Sequence, residues 1–170
     1  PTWSPDGKWI AYWSDRTGEY ELTVRAADRN PEGRSEEKTL TTLGPGFRYP
    51  PQWAPDSQKI AWIDQAMKLW VYDFATHTNL LIDQQKWLYH GDLEAFRVSW
   101  SADSRWLAYA GDLATRHTAI VLYDFPNRAR HQVTSGFYND EAPVFDPEGK
   151  YLYLRTGRSF SPIYSDLDNS

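Results

Sequence analysis

A seven-residue signature recurs four times and leaves few folds open to this chain. It reads Pro1-Thr2-Trp3-Ser4-Pro5-Asp6-Gly7, then Pro51-Gln52-Trp53-Ala54-Pro55-Asp56-Ser57, Val98-Ser99-Trp100-Ser101-Ala102-Asp103-Ser104 and Pro143-Val144-Phe145-Asp146-Pro147-Glu148-Gly149. An apolar couple follows each at the same offset: Ile10-Ala11, Ile60-Ala61, Leu107-Ala108 and Leu152-Tyr153. The anchors Trp3, Trp53, Trp100 and Phe145 are 50, 47 and 45 residues apart. Internal repeats of this length mark solenoids, propellers or arrays.

The signature is a strand–turn–strand. The aromatic ends one strand, Pro presets φ for the turn, an acid occupies the next position, and Gly or Ser follows. A second strand begins at once, as in Lys8–Trp13 or Arg105–Tyr109. Third strands are expected at Tyr20–Arg25, Lys68–Tyr72, Ala119–Tyr123 and Pro162–Ser165, and fourth strands at Thr39–Thr42, Leu80–Asp83 and His131–Thr134. The last repeat reaches Ser170 without a fourth strand. Four strands per repeat of this length is a propeller blade. The expected fold is therefore all-β: a partial β-propeller of about four antiparallel, four-stranded blades, at residues 1–50, 51–96, 97–140 and, incomplete, 141–170. A blade cannot bury both faces alone, so the nine Trp and eleven Tyr are expected mainly between sheets. Each such ring buries roughly 150–250 Å².

Charge and composition narrow the function. A net charge of −5 lacks the basic stripe of a nucleic-acid binder. No apolar run approaches the ~18 residues of a membrane span. The absence of Cys excludes disulfides and zinc–thiolate sites, and fits the cytoplasm or the periplasm of a prokaryote equally. Because the chain opens inside its own motif, it reads as part of a longer protein.

The signature resembles the PD40 repeat, a WD40-like unit of tricorn proteases and TolB-like proteins. Two longer stretches are similar to the tricorn family in particular. One is Trp3-Ser4-Pro5-Asp6-Gly7-Lys8-Trp9-Ile10-Ala11-Tyr12-Trp13 running on through Asp15 to Leu22. The other joins Gly136-Phe137-Tyr138-Asn139-Asp140 to Pro143–Leu154, with the ending Phe160–Asp166, and resembles the last blades of that family's second, larger propeller. The resemblance implies a multi-domain serine peptidase whose propellers filter peptides and unfolded chains on their way to the active site. Its catalytic and PDZ-like domains find no counterpart in these residues, so no catalytic residue carries over.

The residues themselves show no Gly-x-Ser-x-Gly elbow and no Ser-x-x-Lys. His77, His90, His117 and His131 lack metal-site spacing, and Asp15, Asp64 and Asp112 lack the clustered loop of a calcium site. No cofactor, metal or catalytic residue is therefore expected. The charged stretch Asp28–Lys38 reads as a solvated hairpin loop. The segments leading into first strands read as the rim of a central channel, with Arg48, Tyr49, Phe96, Arg97, Tyr138, Asn139 and Asp140 as candidate peptide contacts. An equally direct reading wedges these aromatics between blades. The expected function is a non-catalytic segment that guides peptide or unfolded polypeptide to the rest of the parent protease. The alternatives are a TolB-like interaction propeller and the lid propeller of a prolyl-oligopeptidase-type enzyme. The isolated segment is also expected to self-associate, because uncovered blade faces are apolar; a closed four-bladed ring is the alternative.

Overall fold

The computed structural model describes residues 1–29, 31–86 and 97–158. Among these residues there is no helix, and the strands form four antiparallel sheets, each in simple chain order. The first sheet holds β1 (Thr2–Trp3), β2 (Trp9–Ser14), β3 (Glu21–Ala26) and β4 (Glu37–Thr39). The second holds β5 (Gln52–Trp53), β6 (Lys59–Ile63), β7 (Lys68–Asp73) and β8 (Thr78–Gln84). The third holds β9 (Val98–Trp100), β10 (Trp106–Asp112), β11 (Thr118–Asp124) and β12 (Ala129–Gln132). The fourth pairs β13 (Asp140–Phe145) with β14 (Leu152–Thr156), across a bulge between Glu141 and Val144. This is a partial β-propeller. The third strand expected at Pro162–Ser165 lies outside the described residues.

One register repeats four times. Trp3 faces Ile10, Trp53 faces Ile60, Trp100 faces Leu107 and Phe145 faces Leu152. Each signature turn is closed by a main-chain bond of 2.9 Å from its seventh residue to its fourth. That seventh residue has positive φ every time: 71° at Gly7, 58° at Ser57, 56° at Ser104 and 73° at Gly149. Glycine is free there, whereas a side chain is strained, so the two serines require a reason. The Ser57 hydroxyl accepts the main-chain N–H of Asp6 at 3.1 Å, and that of Ser104 accepts the N–H of Asp56 at 2.9 Å. Each serine thus ties its own turn to the turn of the preceding sheet.

The turn acids act locally. Asp6 accepts from the Ser4 hydroxyl (2.6 Å) and the Lys8 N–H (3.1 Å), and Asp103 accepts from Ser101 and Arg105 in the same pattern. In both, the serine hydroxyl bond and then the main-chain bond hold the carboxyl below its usual range.

Two fourth strands, β4 and β12, end earlier than the sequence predicts, while β8 runs one residue further, to Gln84. The Thr41 hydroxyl takes the N–H of Leu22 at 2.8 Å, and the Thr134 hydroxyl takes that of Ile120 at 2.9 Å. A side-chain oxygen replaces the next ladder carbonyl, so β4 stops at Thr39 and β12 at Gln132.

Two apolar clusters lie between sheets. Ala11, Leu22 and Val24 of the first pack on Trp53, Ile60, Trp62 and Tyr72 of the second. Ala61, Leu69, Val71 and Ile82 of the second join Leu107, Tyr109, Val121 and Tyr123 of the third. The tryptophans are less uniformly buried than expected. Among the described residues only Trp53 (8% exposed) and Trp62 (2%) are buried, and Trp3 is 61% exposed.

Candidate functional site

First strands take part in the packing between sheets: β1 lies against β5, and β13 lies against β9 as well as β10 and β11. The segments that feed these strands are therefore the natural place for a shared surface.

The segment before β5 is shaped from below by a buried carboxylate. Glu21, only 4% exposed, accepts the Thr41 hydroxyl at 2.6 Å, the Leu43 N–H at 2.7 Å and the Gly44 N–H at 3.3 Å. Those donors offset the cost of burying the charge. Beyond Gly44 the chain passes Gly46 at φ 141°, where an added Cβ would lie 2.5 Å from the Gln65 side chain. The Arg48 guanidinium turns back to donate to the carbonyls of Gly44 (2.8 Å) and Gly46. Arg48 also forms an isolated antiparallel bridge with Asp64, flanked by Tyr49 N–H to Ile63 O and Gln65 N–H to Phe47 O. The Tyr49 carbonyl accepts the Trp13 indole N–H from the preceding sheet at 2.9 Å. Tyr49 is half-buried, and Phe47, 56% exposed, meets it edge-on at 5.1 Å.

The segment before β13 repeats the plan with other residues. Gly136 sits against Leu113 and Ala119, its carbonyl beside His117 Nδ1 at 3.0 Å. Asn139 Oδ1 accepts the Thr118 N–H from the preceding sheet at 3.2 Å. Phe137, 72% exposed, meets Tyr138 edge-on at 5.1 Å, and the Arg158 guanidinium lies over Tyr138 at 5.4 Å. Asp140 is buried at the start of β13, opposite Thr156.

The candidate rim residues therefore divide. Tyr49, Tyr138 and Asn139 lie on these loops at or near the surface, and Arg97 is exposed just before β9. Arg48 and Asp140 point their chemistry inward, and Phe96 lies outside the described residues. The structure joins Arg48 with Tyr49, and Tyr138 with Asn139 and Asp140, within their own segments. Sequence reasoning missed Glu21 and Thr41, which set the first loop. The repeated pairs Leu40-Thr41 and Val133-Thr134 were the available clue. It also favoured Arg48 and Asp140 over Phe47 and Phe137, the two rings the structure turns outward.

No group of three or more His, Cys, Asp or Glu side chains that could hold a metal occurs among the described residues. Asp64 spends its carboxylate on the following turn, accepting the N–H groups of Ala66 and Lys68 and the Trp70 indole N–H at 2.9–3.0 Å.

Residues 1–169 match the family model of the tricorn protease second β-propeller domain. The chain belongs to that family. A tricorn-like protease C-terminal subunit of Sulfurisphaera tokodaii is 29% identical over 109 residues, covering 64% of this chain and 12% of that protein. The tricorn protease of Thermoplasma volcanium is 37% identical over 98 residues, covering 53% of this chain and 9% of that protein. The crystal structure of the tricorn protease superposes with a TM-score of 0.71 at 20% identity, covering 91% of this chain and 15% of that one. The chain thus spans about a tenth of the length of these relatives and is a propeller segment of a tricorn-like protease.

Proposed function

We propose that this propeller segment guides extended peptide toward a serine peptidase domain carried elsewhere in the protein. The observation that carries the reading is the matched pair of outward aromatics, Phe47 and Phe137. Each heads a loop into a first strand, and each is seated edge-on against a tyrosine. Tyr49, Arg97, Tyr138 and Asn139 complete the surface. A flat ring held by a second ring gives apolar contact without side-chain selectivity, which suits transient passage of varied sequences. The segment needs no catalytic group of its own for this role.

Binding of a fluorescein-labelled unstructured peptide to the 170-residue chain tests it. Replacing both Phe47 and Phe137 by Ala should weaken binding about tenfold, on the order of 1.4 kcal/mol. Replacing the exposed Leu81 and Leu154, which lie within β8 and β14, should leave it unchanged. Equal binding by both double variants would remove the rim reading.

A further inference from the structure

Arg48 is 93% buried, yet no carboxylate among the described residues forms an ion pair with it. Its hydrogen-bond partners are two main-chain carbonyls, and its Nε–H is buried with no acceptor. The Trp62 indole N–H is also buried without an acceptor. Both side chains line a cleft of about 230 Å³, together with Asp64, Gln65, Lys68 and Trp70. Two cations and one carboxylate leave the cleft with a formal charge of +1, and Asp64 is already occupied by three donors. A buried cation without a counter-ion is costly, and the cost falls when an anion enters.

The repeat indicates which anion. Register places Trp62 where the first and third sheets have Tyr12 and Tyr109. Each of those tyrosines donates to a carboxylate at 2.7 Å, Tyr12 to Glu37 and Tyr109 to Asp83. Those carboxylates come from different places, Glu37 from the tyrosine's own sheet and Asp83 from the preceding one; in the second sheet the donor is kept, a buried arginine lines the same cleft, and no carboxylate among the described residues accepts from Trp62. We propose that the cleft takes a carboxylate from the guided peptide, supplied by an acidic side chain or a free C-terminus. The planar guanidinium suits a carboxylate, and the volume is below the roughly 300 Å³ of a typical small-molecule pocket, enough for one functional group. The proposal rests on the rim reading, and the loop carrying Phe47 is the loop carrying Arg48.

The test uses the ¹⁵N-labelled 170-residue chain and three blocked hexapeptides. One is neutral with a C-terminal amide, one differs by a single Gln→Glu change, and one is neutral with a free C-terminus. The Trp62 indole and Arg48 Nε–H resonances should move with one or both acidic probes, and the arm that saturates names the source. Binding of that probe should fall roughly tenfold or more in Arg48→Gln, with Arg48→Lys intermediate, as expected for hydrogen bonds to a charged group. Lys68→Gln, at the edge of β7, should weaken it by a smaller factor while the far-UV spectrum is kept; no loss in Lys68→Gln or Arg48→Gln overturns the site. Equal shifts from neutral and acidic peptides overturn the carboxylate site and leave the rim intact. Shifts at Phe47 and Phe137 with none at Trp62 do the same. Acetate moving Trp62 while no peptide perturbs Phe47 would support the anion cleft and remove its peptide.

Discussion

The second and third sheets are built alike, and the first and fourth depart from them at equivalent positions. In the second, Trp53 stacks on Phe74 at 5.5 Å and Tyr72 meets Phe74 edge-on. In the third, Trp100, Phe125 and Tyr123 repeat the trio. Each trio faces the sheet before it. Register aligns Arg25 with Tyr72 and Tyr123, and Ala27 with Phe74 and Phe125. The first sheet therefore has its Trp3 but not the two rings that clamp it. The fourth sheet differs on its other face. Ala11, Ala61 and Ala108 are wholly buried where a following sheet packs close, and Tyr153 occupies that position at 59% exposure. Near-identical signatures thus sit in different surroundings. The turn motif sets the hairpin, and the residues around it set how closely neighbouring sheets pack.

The sharpest way to break this comparison is to remove the same residue from both kinds of sheet. Trp53→Ala deletes a buried ring with a stacking partner and should cost about 3–5 kcal/mol. Trp3→Ala removes a ring that is mostly in water and should cost under about 0.5 kcal/mol. Urea unfolding of the two variants measures both. Similar losses would mean that the first sheet's outer face is covered in solution.

A smaller effect is expected at Tyr109, which is wholly buried and donates from the third sheet to Asp83 in the second. Arg130 holds the other oxygen of Asp83 at 2.7 Å. Tyr109→Phe should cost about 1–3 kcal/mol. Its counterpart Tyr12 reaches Glu37 within its own sheet and is only half-buried, so Tyr12→Phe should cost less. The pH dependence follows from the same contrast. Burial, and then the Asp83 charge, push the Tyr109 phenol well above its ordinary value of 10. The neutral phenol is favoured in the folded chain, so its contribution is complete below pH 10 and is lost as pH rises further. Stability measured from pH 9 upward should fall less steeply in Tyr109→Phe than in the parent chain.

How much of this was legible beforehand depends on whether the cause was local. The hairpins were, because Pro, an acid and a Gly or Ser act through their own φ and their own side chains. Strand ends were less so, since Thr41 and Thr134 end ladders by bonding residues some 14–19 positions earlier. The serines at Ser57 and Ser104 looked like substitutes for glycine, and their role appears only when two turns meet in space. The orientation of the loop side chains was less legible. The loops were identifiable from their place in the repeat, but Arg48 turns inward because the Gly44 and Gly46 carbonyls lie within its reach. The outward turn of Phe47 and Phe137 was not legible, because an aromatic in these loops serves a channel rim or a wedge between blades equally.

The smallest expected effect concerns the outer faces themselves. The fourth sheet exposes Val144, Tyr151 and Tyr153, and register puts Val144 and Tyr153 side by side. The tyrosine rings of Tyr151 and Tyr153 lie 6.2 Å apart, whereas register puts Trp3 of the first sheet opposite the half-buried Ile10, with the exposed Arg25 beyond it. Adjacent exposed rings favour a partner more than a single exposed ring on a face that also carries a charge. We therefore propose that the 170-residue chain self-associates in solution through the fourth sheet rather than the first. Tyr153→Lys should weaken association about tenfold, near 1.4 kcal/mol, because it places a strongly hydrated charge among these exposed side chains. Trp3→Lys should change it little. Sedimentation velocity across the micromolar range reads both. A monomer throughout would remove the proposal. Weakening by Trp3→Lys equal to that by Tyr153→Lys would mean instead that the two outer faces meet each other, as the ends of two arcs would on joining head to tail.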